Sequence, residues 1–259
     1  MRIIADTHVH MYSCYDQAKV LRGLDDNLRR LGAGAVRTAF LVERYDCQYY
    51  SDIRCGKIRV SDAGMDVSSI EDGAGLVIAR DGEQSFFILP GRQIVTSERI
   101  EILALMSELE GQDNLPAKEV IRTVRDTGGV PIVAWAPGKW LFGRGKVVRD
   151  VIESFDPGQV FIGDTTLRPS VLPEPPLMKL AREKGFTVIA GSDPLPFRGE
   201  EVMAGTYAAI MEGEFDMAQP ASSIRAILER PSGKITCVGK RCGIFQVIRR
   251  LIKNAVISS

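Results

Sequence analysis

The chain has 259 residues, enough to bury roughly three quarters of the surface its unfolded form exposes, so one large barrel or two small domains are within reach. Its 33 lysines and arginines balance 33 aspartates and glutamates, which supplies no global field for nucleic acid or an anionic membrane and leaves any anion preference to a local cluster. No apolar run approaches the roughly 20 residues of a membrane span, Asp6 interrupts the first apolar run too early for a signal peptide, and the five cysteines form no CxxC. A cytoplasmic protein with reduced thiols, and with neither a membrane nor a nucleic-acid partner, is expected.

"RIIA" (Arg2 to Ala5) is short and β-branched and reads as a buried strand. In "QAKVLRGLDDNLRRLGAG" the apolar Val20, Leu21, Leu24, Leu28 and Leu31 recur at helical spacing, and Gly32 and Gly34 stand where such a helix stops. "VRTAFLV" (Val36 to Val42) is a second strand. From Arg44 to about Glu83 the pattern loosens around possible short strands "KIRV" and "GLVIA", an excursion that suits a hairpin. "SFFILPGRQIVT" is a third strand and "SERIEILALMSEL" reads as a short helix, followed by a clearer one in "AKEVIRTVRDTGG". "VPIVAWA", "QVFIGD" and "FTVIAGSD" are further strands, separated by helical segments over Val147 to Phe155 and Pro175 to Lys184. "TYAAIME" is the last strand and "ASSIRAILER" a helix. About seven strand–helix units with no linker or repeat predict a single-domain α/β protein, a distorted TIM-like (β/α)7 barrel. A terminal helix at about 244–257 carries Phe245, Ile248, Leu251, Ile252 and Ala255 on one face, which predicts docking on the barrel through that face.

In parallel barrels the chemistry sits at the C-terminal ends of the strands. The first strand ends in "DTHVH", where His8 and His10, two apart on an extended segment, can point the same way. Imidazole suits zinc, iron or manganese, and two ligands alone hold none of them. A later strand ends in "AGSDPLP", so Asp193 can add a carboxylate to the two imidazoles and leave positions open for water or substrate. Equally, Asp193 can cap the next turn.

Taken in order, "ADTHVH", "LPGRQIVT", "GGVPIVAWAPG" and "AGSDPLP" resemble the PHP (polymerase and histidinol phosphatase) superfamily of metal-dependent phosphoesterases, over about Ile3 to Ile210. The resemblance implies a distorted seven-stranded barrel. It also implies a first metal held by His8, His10, Gln93 and Asp193, with Gln93 standing where the family has a glutamate. The departures are specific: Glu43 and Arg44 replace an Asp-His pair, Ala134 or Trp135 replaces a histidine, and Leu195 replaces the histidine of the closing Asp-x-His. A trinuclear centre is therefore not expected. One divalent ion (zinc, manganese or iron) is expected, or none.

Several cations follow the strands: Arg44, Arg92, Lys139, Arg168 and Arg198. Guanidinium forks suit phosphate geometry, and Arg92, Arg168 and Arg198 are the candidate binders of a small anionic, phosphate-bearing substrate. Asp6 and Asp164 are the carboxylates available as general acid or base. The function expected is metal-dependent hydrolysis of a phosphoester. The alternative is a barrel that has lost catalysis and binds a ligand or a protein partner.

Overall fold

A computed structural model of the chain describes residues 1–70, 75–230 and 234–258; positions 71–74 of the predicted excursion lie outside them. The chain runs β1 (Arg2–Val9), α1 (Gln17–Leu31), β2 (Val36–Glu43), α2 (Tyr49–Arg54), a 3₁₀ turn at Val60–Ala63, β3 (Met65–Ser69), β4 (Leu76–Arg80), β5 (Glu83–Val95) and β6 (Glu101–Leu105). It continues through α3 (Ala117–Asp126), β7 (Val130–Ala134), α4 (Gly143–Ser154), β8 (Phe161–Thr165), α5 (Pro176–Glu183) and β9 (Val188–Gly191). After a second 3₁₀ turn at Glu200–Met203 come β10 (Tyr207–Glu212), α6 (Pro220–Leu228), β11 (Ile235–Gly239) and α7 (Ile244–Ser258).

Seven strands, in the order β1, β2, β5, β6, β7, β8, β9, form the nearly closed barrel of a single α/β domain, and β10 and β11 extend the sheet beyond β1. Closure is made by close approach of β9 to β1. The Asp193 N–H donates to the His8 carbonyl at 2.8 Å and the Thr7 hydroxyl to the Ala190 carbonyl at 3.0 Å. Gly191 is required here, because a Cβ at that position would lie 2.3 Å from the His8 Cβ.

The strands are apolar on both faces because both are covered. Ile3, Ala5, Phe40, Val42, Phe87, Leu89, Leu103, Ile132 and Ile189 fill the barrel, and Ile224, Ile227 and Leu228 of α6 pack against them. Ile4, Leu41 and Ile88 face outward to Leu21, Leu24 and Leu28 of α1. Val120, Ile121, Val148, Val151, Met178 and Ala181 from α3, α4 and α5 cover β6, β7 and β8.

Four predicted elements differ. "TYAAIME", strand β10, is not the last strand, because β11 follows it and pairs with it antiparallel. The helix expected in "SERIEILALMSEL" is strand β6, antiparallel to both β5 and β7. Its residues alternate between two covered faces, Leu103 and Leu105 inward and Ile102 and Ala104 toward the helices, and a run apolar on both sides has no period that separates strand from helix. "KIRV" is not a strand; the excursion holds α2 and the first 3₁₀ turn, while the expected hairpin is the antiparallel pair β3–β4, with "GLVIA" as β4 pairing with β5. Helix α7 docks, but by a different face. Val247 and Arg250 are buried, whereas Phe245 is 85% exposed and Ile248 and Ile252 point to solvent. Among the described residues no helix is long and apolar enough to cross a membrane.

Candidate metal centre

His8 lies in β1 and His10 directly after it, and a break in the strand's register aims both. Ile4 and Val9 are five residues apart, yet both face the α1 side. The pairing with β2 shifts between Asp6 and Val9, and this bulge reverses the alternation. His8 and His10 therefore point into the barrel mouth. Asp193 follows two residues after β9. Asp193 adopts a left-handed backbone with φ 50°, a conformation that a non-glycine residue holds only where its surroundings fix it.

The Nε2 atoms of His8 and His10 are 3.0 Å apart, and Asp193 Oδ1 lies 3.6 and 3.8 Å from them. A triangle with those sides, 3.0, 3.6 and 3.8 Å, has a circumscribed radius of about 2.0 Å, the bond length of a divalent ion to imidazole nitrogen or carboxylate oxygen. One point is thus at bonding distance from all three atoms. Gln93, on β5, brings its Oε1 to 3.2 Å from His8 Nε2, beside the same point. Two imidazole nitrogens and a carboxylate oxygen converging in this way form a set that could hold a divalent cation.

Burial tunes the ligands in opposite senses. It holds the His10 imidazole well below its ordinary pKa, assisted by the neighbouring His8, so the ring is neutral and its lone pair available. The Asp193 carboxyl is raised, by burial first, with the charge of Glu101 adding to the rise and His8 opposing it. A bound cation relieves that cost. The Tyr12 ring lies 5.5 Å from that of His10, and burial pushes its phenol above the ordinary range.

Gln93 also belongs to the wall of a cavity of about 720 Å³, which Arg44, Arg92, Arg99 and Glu101 line as well. Of these cations Arg99 has no ion-pair partner among the described residues, while Arg44 pairs only with half-exposed Asp46 at 3.4 Å. Arg92, predicted to bind substrate, is in the wall but committed. It donates to Glu110 at 2.9 Å and to the Cys47 carbonyl at 3.0 Å, and lies 3.8 Å from Glu43.

The other sequence candidates are not brought to the cluster. Asp6 is fully buried and accepts three backbone N–H groups, from His8 (3.1 Å), Ser192 (2.9 Å) and Gly205 (2.8 Å), which ties β1 to the loops after β9. Asp164 holds Arg168 through both oxygens, at 2.7 and 2.5 Å, and the Tyr207 hydroxyl at 2.9 Å. Arg168 is thereby neutralised. Arg198 is exposed, and its carbonyl accepts from Lys253 at 3.0 Å. Sequence reasoning missed Arg99 and Glu101, because both fall in or beside the segment misread as a helix; recognising β6 as a strand would have put Glu101 at the barrel mouth.

No protein-family model and no curated protein sequence matches the chain. Solved structures match in fold. PsfC from Pseudomonas syringae PB-5123 superposes with a TM-score of 0.59 at 14% identity, over 99% of this chain and 97% of that one. The lesion-specific endonuclease Q of Pyrococcus furiosus, and endonuclease Q in complex with a 27-mer duplex carrying an abasic lesion, each give a TM-score of 0.48 at 11% identity over 91% of this chain. The chain corresponds to only 58% of the endonuclease Q chains. The expectation that nucleic acid is excluded as a partner does not stand, because its ground was the balanced total charge alone. Balanced total charge limits an extended phosphate track, not a local pocket that admits one nucleotide.

Proposed function

We propose that the chain is a divergent PHP-type metal-dependent hydrolase that cleaves a phosphoester at a single divalent ion held by His8, His10 and Asp193, with Gln93 as a weak fourth ligand. The observation that carries this reading is the convergence of the three ligand atoms on one point at bonding distance, at the edge of the cavity. When bound, the ion lowers the pKa of a water and polarises a phosphoryl oxygen. Arg44 and Arg99, whose charges are the least committed in the cavity wall, orient the anion. Asp6, Asp164 and Arg168 we assign to holding the strand ends in place, since their polar atoms are already engaged.

The test is metal analysis of protein purified without chelator, beside His8→Ala. Hydrolysis is then assayed with zinc, manganese or iron on phosphomonoesters and on single-stranded, duplex and abasic oligonucleotides. Metal retained by the wild type and lost in the variant, with cleavage of one substrate class, supports the reading and selects the substrate. No metal and no hydrolysis sinks it, leaving a barrel that binds without catalysis. That second reading draws on the carboxamide of Gln93, which brings no negative charge to an ion.

A further inference from the structure

Asp193 is held from two sides. Its N–H is fixed to β1 through the His8 carbonyl, and its own carbonyl accepts from Arg250 Nη2 at 3.2 Å. Arg250 comes from α7, and its side chain is 3% exposed. The guanidinium uses every edge. Nε and Nη2 grip Glu200 at 3.0, 2.9 and 2.6 Å, and Nη1 donates to Thr166 Oγ1 at 2.9 Å and to Cys242 Sγ at 3.4 Å. Glu200 in turn accepts from the Leu195 N–H at 3.1 Å. One planar group therefore joins the loop after β8, the loop after β9 and the approach to α7, and it reaches the chain on both sides of Asp193: Leu195 through Glu200, and Ser192 through Thr166, whose hydroxyl donates to the Ser192 carbonyl at 2.5 Å. A residue at φ 50° relaxes once it is no longer over-determined, and relaxation here swings the carboxylate away from the two imidazoles.

We infer that Arg250 is a positioning residue for Asp193, so that the C-terminal helix is a working part of the metal site rather than a lid on the outside of the barrel. The inference rests on reading His8, His10 and Asp193 as metal ligands. Lysine at this position keeps the charge but presents one nitrogen where the site uses three; methionine keeps the length and loses both charge and donors.

The experiment compares wild type, Arg250→Lys and Arg250→Met in zinc affinity, measured by chelator competition, alongside thermal unfolding and amide hydrogen exchange of the metal-free chains. Zinc affinity falls roughly tenfold in the lysine variant and up to about 100-fold in the methionine variant, the range for loss of a partner that orients a ligand. The Asp193 and Leu195 amides exchange faster in both. A strap with a purely structural role would lower the melting temperature and leave affinity unchanged wherever the variants remain folded; folded variants within twofold of the wild-type affinity overturn the inference. If the methionine variant does not fold, the lysine variant carries the comparison. If the wild type takes up no zinc, the metal reading fails on its own, and the exchange of the Asp193 amide then judges Arg250; unchanged protection there rejects its role.

Discussion

Two buried aspartates at neighbouring strand ends have opposite surroundings. Asp164, 2% exposed, is closed on itself: Arg168 grips both oxygens, Tyr207 donates to one and the Thr165 N–H to the other. Asp193, 8% exposed, faces two imidazole nitrogens and lies among other acceptors, with no lysine or arginine bonded to its carboxylate among the described residues. Burial alone does not separate them, and neither does charge. The difference is whether the partners that a buried carboxylate requires come from the protein. Where they do, the group holds the fold; where they do not, the carboxylate has room for a partner, which the proposed function takes to be a metal ion.

Substitution should split the two clusters cleanly. His8→Ala or Asp193→Asn is expected to weaken metal binding more than about 100-fold, beyond the range for supporting residues. The unfolding midpoint of the metal-free chain should not fall in Asp193→Asn, because a carboxyl whose pKa burial raises is no asset to the fold when ionised. Asp164→Ala should do the reverse. It strands the Arg168 guanidinium in a buried position at a cost of about 3–5 kcal/mol, seen as a lower urea midpoint, while zinc affinity measured under folding conditions stays within a fewfold. A variant at Asp164 that loses metal yet keeps stability would erase the distinction.

Glu43 with Arg92 is an intermediate case. The pair is 3.8 Å apart and the Glu43 carboxylate accepts from the Tyr50 N–H at 2.8 Å, yet burial pushes its pKa up to about 7. In the unfolded chain a glutamate ionises near pH 4.3. Its contribution to stability is therefore full below that pH, declines as the pH rises toward 7, where the native state still prefers the acid form, and is flat above. At about 1.4 kcal/mol for each unit of pKa, the decline is on the order of 4 kcal/mol. Glu43→Gln, which keeps an acceptor for Tyr50, should flatten this part of the urea-midpoint profile between pH 5 and 8. A profile that parallels the wild type would mean that Glu43 is ionised throughout and that Arg92 fully compensates it.

The barrel and the pairing of His8 with His10 on one side of β1 were legible in the sequence for a common reason. Both follow short-range rules: alternation in strands, 3.6-residue spacing in α1 and α3, and the two-residue spacing of His8 and His10. What it hid depends on partners distant in sequence. Strand β6 is apolar on both faces because two layers cover it, and nothing within its own residues says so. Arg168 follows a strand as an anion-binding arginine would, and only the fold reveals that Asp164 takes its charge. Arg250 sits on the inner face of α7, where an apolar residue is expected, because Glu200 lies 50 positions away. The reversal of alternation that aims the histidines is likewise visible only in the pairing of β1 with β2.

The smallest expected effect tests the open cluster from the other direction. If His8, His10 and Asp193 await a cation, they fall short in charge rather than in geometry. Gln93 Oε1 already stands 3.2 Å from His8 Nε2, and its carboxamide contributes a dipole where a glutamate would contribute a full negative charge. Gln93→Glu changes almost nothing in volume. In the metal-free chain it crowds a second carboxylate against Asp193, so it should lower the unfolding midpoint modestly. With zinc or manganese present the same change should tighten binding roughly tenfold, or about 1.4 kcal/mol, and the added metal should raise the midpoint more in the variant than in the wild type. A structural polar cluster predicts the first effect without the second. Destabilisation that added metal does not reverse would therefore place His8, His10 and Asp193 with Asp164 and Arg168, as groups that hold the barrel and nothing else.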